Sequence, residues 1–107
     1  MSPKVKARAP VTHQLKIWPQ FFDAWRTGKK RAEIRKNDRD YRVGDVVVLN
    51  EWDPKKGKGG TYTRRALRTE ILNVTHLSDV PGTHKSDGDF VVLSLASRKI
   101  TRLPPPK

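Results

Sequence analysis

Residues 61–75, TYTRRALRTEILNVT, decide how the chain folds. Leu67 and Ile71 share one phase of a two-residue alternation, whereas Leu72 and Val74 bring in the other. A single long strand whose apolar side changes partway is what a β-bulge or the corner of a barrel produces. Upstream, VVVLNEW (46–52) is a continuously apolar strand expected to be buried on both faces. Between the two lies DPKKGKGG (53–60), a flexible hairpin loop carrying Lys55, Lys56 and Lys58. It lacks the GxxxxGK[ST] spacing of a phosphate-binding loop, so its glycines are turn residues. Downstream, GDFVVLSL (88–95) supplies another strand and RKITRL (98–103) a short last one.

Toward the N-terminus, THQLKI (12–17) alternates as a half-buried strand with His13, Leu15 and Ile17 on one face. WPQFFDAWRTG (18–28) predicts a helix, with Pro19 at its first position, Phe21, Phe22 and Trp25 on its core side and Gly28 as its stop. Trp18, Phe22 and Trp25 are expected in the core. RAEIRK (31–36) alternates again, which predicts Ala32 and Ile34 inward and Arg31, Glu33 and Arg35 on the opposite face. NDRD (37–40) is a turn by composition, and YRVGD (41–45) turns once more at Gly44 and Asp45. One helix cannot cover both faces of so many strands. The expected fold is mainly β with one or two helices, a closed or nearly closed small β-barrel with the helix at one end.

At 107 residues with 35% hydrophobic content the chain supports one domain. Residues 1–11 are expected as a basic flexible arm, 12–102 as the folded domain and 103–107 as a proline-rich tail. No apolar run is long enough for a transmembrane helix and no secretory signal is evident, so a soluble protein in the cytoplasm is expected. The absence of cysteine excludes disulfides, thiolate nucleophiles and cysteine zinc sites. With 23 Lys plus Arg against 11 Asp plus Glu, the formal charge of +12 attracts polyanions, and nucleic acid is the usual one inside a cell.

Three of those acids nevertheless sit in GKKRAEIRKNDRD (28–40), which contains Gly28, Lys30, Glu33 and Arg35 spaced as GxKxxExR. Lys30 offers a point charge to a phosphate or carbonyl oxygen, and Arg35 a planar fork that binds phosphate or stacks on a base. Glu33 is expected to accept from a cytosine or adenine amine, which a purely basic groove cannot do. The competing reading is an exposed Glu33–Arg35 salt bridge of little worth. Arg39 is placed to reach the same cleft, and Tyr41, Trp52 and Tyr62, near strand ends or loops, are candidate stacking platforms. Lys16, Arg64, Arg65 and Arg68 extend the positive surface. His84, Asp87 and Asp89 fit no standard metal site, His13 and His76 are isolated, and no GxSxG elbow is present. Neither a metal nor a cofactor is expected.

The GxKxxExR spacing, with the strand and aromatic helix before it and the VGD turn and apolar strand after it, resembles the ASCH domain of the PUA-like superfamily. The resemblance extends over roughly residues 12–95 and is closest to small bacterial and phage chains sharing LKI, EIRKNDRD, VGD and a YT segment. It implies a PUA-like β-barrel whose cleft, lined by Lys30, Glu33 and Arg35, binds RNA or a modified nucleobase or nucleoside. It also implies an alternative, because some relatives are amidohydrolases that deacylate cytidine acylated on its exocyclic amine, as in N4-acetylcytidine, and a few are described as ribonucleases. In the hydrolase reading Lys30 and Glu33 take the acid/base roles and Thr63 supplies a hydroxyl, Glu33 standing where the deacylases carry threonine. Glu51 and Glu70 are then candidates for their distal glutamate. No helical or proline motif argues for an obligate protein partner.

Overall fold

The computed structural model describes residues 8–84, 89–96 and 99–102, the last segment as backbone. Most of the predicted N-terminal arm, Asp87 and the 103–107 tail lie outside the described residues. The elements run β1 (Thr12–Ile17), α1 (Pro19–Arg26), β2 (Ala32–Lys36), β3 (Val46–Asp53), β4 (Thr61–His76), β5 (Phe90–Leu95) and β6 (Lys99–Arg102), with a short 3-10 turn at Leu77–Asp79. The described residues are thus mainly β with one α-helix.

β4 organises the sheet. Its N-terminal half pairs with β3 and β6, its C-terminal half with β5, and the strand order is β1-β3-β4-β5-β2. The phase change in its sequence is a real irregularity: the register with β5 shifts between Ile71 and Asn73, leaving Leu72 57% exposed while Ile71 is buried. A second shift, against β3 near Glu51, coincides with Arg64 at φ 75, a left-handed backbone that a bulge accommodates.

The sheet is not closed into a barrel, which corrects the expected PUA-like β-barrel: β1 and β2 form the two ends of the strand order and do not pair with each other. Side chains span the seam instead. Arg35 Nη2 donates to the Lys16 carbonyl at 2.7 Å and Arg39 Nη1 to the Gln14 carbonyl at 3.1 Å. A backbone ladder needs strands about 4.8 Å apart, whereas a guanidinium on a long stem satisfies the same carbonyls across a wider gap.

The core gathers Leu15 and Ile17 of β1, Phe22 and Trp25 of α1, Val47 and Leu49 of β3, Leu67 and Ile71 of β4, and Val91, Leu93 and Leu95 of β5. Pro19 opens α1 as its spacing predicts, and Trp18 stands just before it in extended conformation, its carbonyl accepting from Phe21 and Phe22. Gly28, at φ 79, lets the chain leave the helix while the amides of Lys29 and Lys30 both bond the Ala24 carbonyl. That turn delivers Lys30 to the start of β2.

Two sequence expectations invert here. Glu33 is buried at 5% exposure and Ile34 is 63% exposed, so β2 turns its charged residue inward. Trp18 and Phe21, expected to cover the core, are about half exposed.

Candidate functional site

Glu33 is held from three directions. The Trp25 indole Nε1–H donates to Oε1 at 2.9 Å, Lys30 Nζ lies 3.2 Å from the same oxygen, and Arg35 Nε donates to Oε2 at 3.0 Å. These donors offset the desolvation cost of burying the carboxylate, which lets β2 face it inward. The pair is therefore not an exposed surface bridge, and the nearly buried carboxylate still lines the groove. Its role is to fix two cations. Lys30 also donates to the Ala32 carbonyl at 2.7 Å, and the side chains of Lys30 and Arg35 remain about a quarter exposed. Arg35 Nη1 has no protein acceptor among the described residues, so N–H groups remain for an outside ligand.

These cations line a groove of about 470 Å³ along the β1–β2 seam. Its exposed apolar walls are Trp18 and Phe21 from the start of the helix and Ile34 from β2, and the buried Ile17 and Glu33 line it as well. Lys16 of β1 completes the rim. The arrangement can accept a flat apolar body against the aromatics while an anionic or carbonyl oxygen meets Lys30 and Arg35.

The other sequence candidates are distributed around this groove. Gly28 shapes the approach to Lys30. Arg39 lies in a neighbouring recess rather than in the groove. Tyr41 lines the recess but is buried at 7% exposure, with its ring centroid 4.7 Å from that of His13, and burial raises its phenol pKa. Trp52 is engaged within the chain, since Lys16 Nζ lies 4.6 Å from its ring centroid and a Cβ built on Gly60 would come within 2.3 Å of its ring. Tyr62 is 44% exposed, with the same ammonium 5.7 Å from its centroid. Thr63 is placed with Glu51, to which its hydroxyl donates, and not with Lys30 and Glu33. Glu51 is 2% exposed and takes both of its 2.8 Å bonds from Arg65, whose pKa is raised by that contact.

Trp18, Phe21 and Ile34 are the groove residues that sequence reasoning missed. For Trp18 the signal was present in Pro19: a residue preceding a proline avoids helical backbone, so helical spacing to Phe22 does not apply to it.

A third buried carboxylate, Asp45, lies outside the groove. Arg8 donates to Oδ1 at 2.8 Å and to Oδ2 at 2.9 Å, His13 Nε2 lies 2.8 Å from Oδ2, and the amides of Val11 and Arg42 donate as well. The Arg8 contact, ahead of the others, holds this carboxyl well below the usual carboxylate range. Arg8, read from sequence as part of a mobile arm, is therefore tied to the domain. Among the described residues no cluster of His, Cys, Asp or Glu is placed to hold a metal ion, and no helix is long and apolar enough to cross a membrane.

Residues 12–95 match the sequence model of a family described as a domain of unknown function, DUF3850. This match, together with the open sheet, overturns the resemblance to the ASCH domain of the PUA-like superfamily. Over 67 residues the chain is 43% identical to a protein of Escherichia phage P2 described as an uncharacterized 12.9 kDa protein in the GpA 3′ region. The aligned part covers 63% of this chain and 57% of the phage protein.

Proposed function

The chain belongs to the DUF3850 family, and we propose that it binds RNA, or a modified nucleoside, in the groove between β1 and β2. The observation that carries this reading is the pairing of half-exposed Trp18 and Phe21 with the Lys30–Arg35 cations in one groove. A base is flat, apolar on its faces and joined to an anionic backbone. It matches aromatic walls next to immobilised cations, and stacking of this kind tolerates any base. The charge of +12 adds long-range attraction for a polyanion.

No observation favours the acyl-cytidine hydrolase or ribonuclease alternatives. The Thr63 hydroxyl is engaged with Glu51, away from Lys30, and the groove walls bring no second acid–base group to Lys30 and Glu33. The test is a titration with short single-stranded RNA, followed by tryptophan fluorescence and repeated across a salt series. If Lys30 and Arg35 each meet one phosphate, log K falls against log salt with a slope of about −1.4. Trp18→Ala should cost about 1–3 kcal/mol of binding, about 5- to 150-fold in affinity. Binding that is unchanged by Trp18→Ala and by Arg35→Ala would place the contact elsewhere and end this reading.

A further inference from the structure

Beside the groove lies a second recess of about 400 Å³ that shares Lys16 and Arg35 with it. The two differ in kind. The groove is walled by exposed aromatics, whereas the recess gains Lys36 and Arg39 and has Asp38 as the acid among its lining residues. Its neutral polar wall includes Asn50, whose side-chain amide donates to Gln14 Oε1 at 2.8 Å.

Its cations are arranged to receive an acceptor from outside. Lys16 Nζ is held at the junction of the two cavities over the Trp52 ring, an attraction that fixes the ammonium without neutralising it. Arg39 uses Nη1 on the Gln14 carbonyl, and no acceptor among the described residues takes its remaining N–H groups. Lys16, Arg35, Lys36 and Arg39 line it against one lining carboxylate, Asp38, with the exposed Tyr62 ring on a further wall.

We propose that this recess is a phosphate subsite, and that the ligand of the whole site is a phosphorylated nucleotide, free or within a strand, rather than a bare nucleoside. The base lies in the apolar groove, and the phosphate sits among Lys16, Arg35, Lys36 and Arg39. This rests on the base-binding reading above and adds the group that a nucleoside lacks. The shared pair, Lys16 and Arg35, is what couples the two cavities into one site.

The test is calorimetric titration of the full chain at low salt with the four ribonucleosides, their 5′- and 3′-monophosphates, and inorganic phosphate. The native protein, Arg39→Ala, Lys36→Gln and Trp18→Ala are compared, with circular dichroism confirming the fold of each. The expected result is a monophosphate bound at least about tenfold more tightly than its nucleoside. Arg39→Ala and Lys36→Gln should each bring that ratio toward one. Equal affinity for nucleoside and monophosphate in the native protein, or a ratio unmoved by both recess variants, would overturn the phosphate subsite while leaving base binding in place. Inorganic phosphate bound as tightly as every monophosphate, with no effect of Trp18→Ala, would refute the base instead, and the nucleotide assignment with it. No binding by any probe would overturn both.

Discussion

Asp45 and Glu33 are buried to nearly the same degree and each is engaged by an arginine, yet they organise different kinds of place. Asp45 draws in Arg8, His13 and two backbone amides and ties the chain before β1 to the turn before β3. Glu33 draws in Lys30, Arg35 and the Trp25 indole, but its two cations stay partly open to a groove with an aromatic rim. The number of donors around a carboxylate therefore measures how firmly the local fold is fixed. What marks a site is the N–H capacity its cations have left over and the surface those groups face.

The largest effect that would break this comparison is on stability. Asp45→Ala leaves Arg8, His13 and the amides of Val11 and Arg42 without their acceptor, and should cost about 3–5 kcal/mol in denaturant unfolding, with nucleic-acid affinity unchanged wherever the variant is folded. The acid limb sharpens the same point. Because the folded chain lowers the Asp45 carboxyl from an ordinary value of 3.8, its contribution is complete above that value and is lost as pH falls below it. Asp45→Asn should flatten the loss of stability measured between about pH 4 and pH 2.

Glu33→Gln should have the mixed phenotype, costing about 1–3 kcal/mol of stability and weakening RNA binding in the same titration, because Lys30 and Arg35 lose the charge that positions them. A Glu33→Gln variant that binds normally would show that the cations need no such holder. The smallest effect is expected at Arg26→Ala. Its bond to Asp23 joins two side chains that are each about half exposed, and unfolding should shift by no more than about 0.5 kcal/mol.

How much of this was legible depended on whether the signal was local. The inward face of β1, the helix opening at Pro19 and the irregularity in β4 follow from spacing, and the structure shows each of them. Closure of the sheet was not legible, because alternation says which side of a strand faces inward and nothing about which edges meet. The inversion of β2 has a related cause. Ranking by polarity places Ile34 inside and Glu33 outside, and it cannot see the indole of Trp25, eight residues earlier on another element, that joins Lys30 and Arg35 around the buried carboxylate. The GxKxxExR spacing brought Lys30, Glu33 and Arg35 together in fact, but the role of Glu33 as a holder of cations lay in its burial.

The side-chain struts across the β1–β2 seam bear on how the protein behaves among copies of itself. Unpaired strand edges recruit further strands from other molecules, and a chain with two of them invites end-to-end association. Here Arg35 and Arg39 already occupy the Lys16 and Gln14 carbonyls that an incoming strand would need. They do so with charged groups that repel the equally cationic edge of another copy. Those two carbonyls are thereby closed to strand addition at the seam.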